Sequence, residues 1–200
     1  MYGPAVVSWL LATLTGAAAL FCLARLRTPA AQRGGTGWAG RESDAAEALM
    51  GIGMAVMALP VSRGGGVPAA ACVVLFSGVG AWFLAAALRG GGARHRAHRL
   101  HHAVGSGAMV YMALPMATDA TGGPQHAGHV PAAEGPLLLT GLLLLYFGSY
   151  VVWTGSRLLA TAPGDVVAVT GGAQLLRAPG MPQACRVVMG MGMFVMLLAG

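Results

Sequence analysis

The chain has 200 residues, 56% of them hydrophobic and only 9% charged, with a mean hydropathy of +0.68. So few charges cannot solvate the surface of a water-soluble globule, and the composition points instead to an integral membrane protein. All 12 basic residues are arginine and outnumber the 6 acidic ones, but they lie between apolar runs, so the net charge of +6 does not imply nucleic acid.

A helical span needs about 20 apolar residues, and six stretches come near that length: 5–24, 45–61, 68–88, 102–117, 136–156 and 184–200. The first follows an N-terminus without a charged leader region or a small-residue cleavage site, so it reads as a retained span. A Gly-rich linker, TPAAQRGGTGWAG, leads to the second, EALMGIGMAVMAL, which opens on Asp44 and Glu47. The third, AAACVVLFSGVGAWFLAAAL, is continuously apolar. The fourth follows RHRAHRLHH, where His95, His98 and His102 are spaced to share a helical face. That face offers imidazoles to a metal, or a basic patch to anionic lipid headgroups. Beyond it, DATGGPQHAGHVPAAE places His126 and His129 near Asp119 and Glu134, read as a solvated polar turn or a weak metal-gathering loop. The fifth span is leucine-rich. A long loop with several turn signals and a short VVAVT run precedes the sixth, RVVMGMGMFVMLL.

Four arginines fall between the first two spans, four between the third and fourth, and three between the fifth and sixth, leaving only Arg63 on the opposite side. Arginine bias in short loops sets orientation, so six spans with both termini extracytoplasmic fit the pattern. The arginine loops are then cytoplasmic and positioned to meet anionic lipid headgroups.

The second, fourth and sixth spans align as an internal repeat. Glu47, His102 and Arg186 share the first register position. Met50, Gly105 and Met189 follow, then Met54, Met109 and Met193, then Met57, Met112 and Met196. Steps of three and four keep each set on one helical stripe. The other three spans contain no internal methionine and suit a lipid-facing position. The expected architecture is an all-α, six-span bundle of three helical hairpins, each pairing a lipid-facing helix with a methionine helix.

Two readings of the stripe stand side by side. Thioethers are soft ligands suited to Cu(I), and a ladder of weak sites lets an ion enter and leave. In that reading Met50, Met54, Met57, Met109, Met112, Met189, Met193 and Met196 form the ladder, with Glu47, His102 and Cys185 at its cytoplasmic end. MxxxM occurs in each repeat helix, and in this respect alone the segments resemble the membrane helix of high-affinity copper transporters. The alternative is that methionine packs adaptably against glycine, leaving a non-catalytic membrane component that meets lipids or partner proteins.

Glu47 is expected either to cap its helix or to pair with Arg186 across helices. Cys22, Cys72 and Cys185 are odd in number and lack CxxC spacing, so no disulfide framework or zinc knuckle is implied. HExxH, GxSxG and Walker signatures are absent, so no enzymatic activity is expected and no organic cofactor is assigned.

On the segments GPAVVSWLL, EALMGIGMAVMA, HRLHHAVGSGAMVYMA, AGH before LLTGLLLLYF, and CRVVMGMGMFVMLL, the chain resembles the actinobacterial family called domain of unknown function 5134. The resemblance runs nearly end to end and implies a small polytopic protein of a bacterial plasma membrane. It carries no catalytic residues.

Overall fold

A computed structural model describes residues 3–27, 38–59, 69–90, 92–120, 134–161 and 181–199. The described residues form six helices: α1 (Gly3–Arg27), α2 (Trp38–Ala58), α3 (Ala69–Leu88), α4 (Ala93–Ala120), α5 (Glu134–Thr161) and α6 (Met181–Ala199). The chain is all-helical there. The linker around Arg33, the VVAVT run and the outer loop with His126 and His129 lie outside the described residues, as do the side chains of Asp119 and Glu134.

Four helices contain a segment long and apolar enough to cross a membrane: Val6–Arg27, Ala69–Leu88, Leu137–Ala160 and Met181–Ala199. In α2 and α4 the helix runs past the apolar stretch into charged sequence. α2 begins seven residues before position 45 and takes in Arg41, Glu42 and Asp44, while α4 begins nine residues before 102 and takes in RHRAHRLHH. These charged turns stay helical because much of their polar chemistry is answered by neighbouring helices, as the ion pairs described below make concrete.

The most extensive contacts join α1 to α2, α3 to α4, and α5 to α6, so each helix packs on its chain neighbour. Lesser contacts link α2, α4 and α6 with one another and α1 with α6. The outer surfaces are apolar: α5 exposes Leu137, Leu138, Leu142, Leu145, Val152 and Trp153. In water this would be an aggregation surface; against acyl chains it costs nothing.

Between α2, α4 and α6 the core is built by laying methionines onto glycines of another helix. A methyl at Gly105 of α4 would sit 3.3 Å from Met50 Sδ, and one at Gly192 of α6 3.3 Å from Met54 Sδ. Conversely, a methyl at Gly53 of α2 would meet Phe76 and fall 2.8 Å from Met109 Cε, and one at Gly51 would fall 2.6 Å from Met189 Cε. The missing side chains make the seats for the long flexible ones. Met54 and Met109 are fully buried, and Met50, Met189 and Met193 nearly so. Met57, Met112 and Met196 are half-buried and pack against this core, whereas Met116 and Met191 face outward.

This packing predicts opposite outcomes for two glycine substitutions. Gly53→Ala should destabilise the detergent-solubilised protein by about 1–3 kcal/mol, because Phe76 and Met109 must shift. Gly107→Ala faces open space, so its melting temperature should equal or exceed that of the wild type.

Candidate metal centre

The polar residues of α2, α4 and α6 gather at the end of the bundle where α1, α3 and α5 finish and their partners begin. Arg25 near the end of α1 pairs with Asp44 of α2 at 3.5 Å. Arg99 of α4 donates to the Ala86 carbonyl near the end of α3 at 3.0 Å and pairs with Glu42 of α2 at 3.5 Å. His101 of α4 stacks on Tyr150 of α5, with ring centroids 4.0 Å apart, and its Nδ1 lies 2.9 Å from the Tyr146 hydroxyl. These contacts bind five helices together around a smaller, more deeply buried group.

Glu47 is 4% exposed and stands at its centre. Its Oε1 accepts from Arg186 Nε at 2.9 Å and from Ser43 Oγ, one turn earlier on α2, at 3.1 Å. Its Oε2 accepts from the Cys22 thiol of α1 at 3.7 Å. Ser43 Oγ also lies 2.8 Å from His98 Nε2 and accepts from Arg186 Nη2 at 3.4 Å. His98 Nε2 lies 3.1 Å from His102 Nε2. Glu47, His98 and His102 each present a ligand atom within 4.8 Å of the other two.

Helical spacing explains how short sequence segments deliver this. Ser43 and Glu47 are four residues apart on α2, as are His98 and His102 on α4, so each pair shares a face. The tertiary fold then apposes the two faces and brings Arg186 from α6.

The two imidazoles are an unusual pair. Only one proton fits between nitrogens 3.1 Å apart, so one ring donates and the other contributes a lone pair. His102 is 2% exposed, and its Nδ1 is buried without a hydrogen-bond partner. An unpartnered ring nitrogen at this depth is costly to leave. Metal–nitrogen bonds of about 2.0–2.1 Å at tetrahedral angles put two nitrogen ligands about 3.3 Å apart, close to the separation seen here. A cation between the two Nε2 atoms and Glu47 would use both lone pairs where a proton can satisfy only one.

Of the residues singled out in the sequence, Glu47, His102, Cys185 and Arg186 all lie at this end, with Arg186 on Glu47. Met50 and Met189 lie one turn deeper, at the top of the packed core, and the other ladder methionines lie below them. His95 is exposed and outside the group. Ser43 and Cys22 were not legible as members. Ser43 carried a usable signal, its four-residue spacing from Glu47, whereas Cys22 carried none, since its approach to Glu47 depends on how α1 packs against α2.

His98 and His101 precede the apolar stretch of α4. Burial first, and then the Arg186 charge, lower both from 6.5 to about 4. Both rings are therefore neutral at pH 7, with lone pairs available.

Two stability predictions follow from this chemistry. A histidine whose folded pKa is depressed supports the fold fully above its unfolded value and loses that support as pH falls from about 6.5 toward about 4. The melting temperature in detergent should therefore drop between pH 7 and pH 4.5, and His98→Asn should flatten part of that slope. Separately, Arg186→Met leaves the Glu47 carboxylate buried without its cation and should cost about 3–5 kcal/mol. Arg99→Ala frees Glu42, a carboxylate more exposed than Glu47, and should cost about 1 kcal/mol or less in the same melt.

No curated protein and no solved structure matches the chain. A family model does match, over residues 39–200, which take in α2 from its second residue onward, α3 to α6, and the polar residues described above except Cys22 and Arg25. The chain therefore belongs to the family described as Domain of unknown function (DUF5134).

Proposed function

We propose that this is a non-catalytic, six-span protein of a bacterial plasma membrane that binds a late transition-metal ion at the polar end of its helix core. Glu47, His98 and His102 are the ligands. The observation that carries this reading is the buried convergence of a carboxylate and two imidazoles from two helices, with both Nε2 atoms facing one another. A mixed nitrogen and oxygen donor set suits Zn(II) and its neighbours better than it suits magnesium or calcium.

The remaining parts take supporting roles. The arginine distribution orients the polar end toward the cytoplasm and both termini away from it. In this topology α2 and α4 cross as well, shielded by the other helices, with their charged turns at the cytoplasmic boundary. Arginines near the ends of α1, α3 and α5 then meet anionic lipid headgroups.

The methionine ladder acts here as packing. At Gly51 and Gly53 the ends of Met189 and Met109 already fill the space that a methyl group would need, which supports packing over conduction. The ladder instead fixes the three helices whose polar ends build the site.

The test is isothermal titration of detergent-solubilised protein with Zn(II). The wild type should bind one ion, and Glu47→Gln and His102→Asn should each weaken binding by at least about tenfold to a hundredfold, the loss typical of even an outer partner of a metal ligand. Changing Met54, Met109 and Met193 together to leucine should preserve the stoichiometry, because leucine keeps bulk and apolarity while removing sulfur. Undiminished binding by Glu47→Gln and His102→Asn would sink the proposal.

A further inference from the structure

α2 and α3 follow each other in the chain, yet they are not a closely packed pair. α2 turns to α1 and α3 to α4, and the two hairpins meet chiefly through α2 and α4. The seam left between α2 and α3 is a groove of about 510 Å³, lined by Ala45, Ala46 and Leu49 on one side and by Val74, Gly78 and Val79 on the other. Gly78 keeps it open, since a Cβ there would meet nothing within 4 Å. From Val74 to Phe83 the groove runs about 14 Å along α3, which gives it a mean cross-section of about 36 Å². A helix with its side chains is about 10–12 Å across and covers roughly 80 Å² or more. The groove is too narrow for another helix and takes an extended hydrocarbon chain.

One end of this apolar groove carries charge of both signs. Glu42 lines it there, and its Oε1 accepts from the Trp82 indole Nε1 at 3.4 Å. Its Oε2 lies 3.5 Å from Arg99 Nη2, while Arg99 Nη1 is anchored on the Ala86 carbonyl at 3.0 Å. Contacts of 3.4 and 3.5 Å are long for hydrogen bonds, so the carboxylate keeps acceptor capacity and the guanidinium keeps further donors. Both side chains remain partly exposed. Trp82 is largely exposed, as tryptophans at a membrane–water boundary are. An anion and a cation side by side at the mouth of a hydrocarbon-sized groove are complementary to a zwitterion with an apolar tail.

We propose that the α2–α3 groove binds one phospholipid with a zwitterionic primary-amine headgroup, a phosphatidylethanolamine. An acyl chain lies along Leu49, Val74 and Gly78, the phosphate meets Arg99, and the ammonium donates to Glu42. The inference rests on the membrane setting proposed above and is independent of the metal ligands. It predicts selectivity in two directions. A choline headgroup has no N–H to donate to Glu42, and an anionic headgroup without an amine is repelled by that carboxylate. The site thus differs from the general attraction of the arginine-bearing helix ends for anionic lipid.

Native mass spectrometry of the full-length protein released from detergent tests this, with dioleoyl phosphatidylethanolamine, phosphatidylcholine and phosphatidylglycerol supplied separately at equal concentration. The wild type should retain one phosphatidylethanolamine per chain and bind it at least about tenfold more tightly than phosphatidylcholine, the scale of one hydrogen bond to a charged group. Glu42→Gln should bind the two about equally. Gly78→Leu should fill the groove and lose the retained lipid, while its melting temperature in lipid-free detergent equals or exceeds that of the wild type, because the added side chain enters open space. Should Gly78→Leu melt lower, Glu42→Gln, which barely changes the side chain's size, still decides. Equal retention of phosphatidylethanolamine and phosphatidylcholine by the wild type overturns the inference, as does an unchanged preference in Glu42→Gln. Tighter retention of phosphatidylglycerol reduces the effect to general attraction by arginine and overturns it too. A lipid-resistant dimer abolished by Gly78→Leu would assign the groove to a second copy of the chain instead. Recovery of the protein in the membrane fraction of its host tests the membrane setting separately, and the histidine site keeps its own Zn(II) titration.

Discussion

The close approach of α2, α4 and α6 is the constraint on which the rest of this protein depends. In a bilayer, lipid tails are as apolar as leucine, so burial from water does not drive helices together; association relies on dense packing and interhelical polar contacts. Here the density comes from methionine side chains seated on glycines of a neighbouring helix, as Met54 is on Gly192 and Met109 on Gly53. Methionine is unbranched and fits such irregular seats, while glycine lets the backbones approach. The stripe that suggested an ion ladder is, in its geometry, a set of interlocking contacts.

The same approach creates the polar group. Glu47, Arg186, His98 and His102 come from three helices, and none of their contacts would survive a displacement of a few ångströms. Burying a carboxylate and a guanidinium carries a large desolvation cost that their attraction repays only with good geometry and further hydrogen bonds. Ser43 supplies one such bond and the Cys22 thiol another. A bundle evolved for packing alone would do as well with apolar residues here, which is why the group reads as functional.

Charge organises the molecule along its long axis. Arg25 with Asp44, Arg99 with Glu42, and Arg186 with Glu47 all lie at one end, where three hairpins bring one helix end beside the next helix start. The opposite end contributes no ion pair among the described residues. Below the ion pairs the core turns mainly apolar, with Ser106 and Thr15 as its buried polar exceptions.

The sequence by itself determined the helical class, the presence of helices long and apolar enough to cross a membrane, and the division between methionine-bearing and leucine-rich segments, because composition and 3.6-residue periodicity are local properties. It also put Glu47, His102 and Arg186 at one register position of the expected repeat, and the structure brings all three to the same end of the bundle. Only the tertiary structure decided that the charged turn before position 45 remains helical, which carried Ser43 into the group, and that the His98–His102 face meets Glu47. Only it placed the Cys22 thiol beside Glu47, a contact between helices that no spacing rule encodes. Sequence alone left the methionines with two readings, because a thioether that binds a metal and one that fills the space over a glycine occupy the same helical stripe; the structure shows Met54 and Met109 seated over glycines.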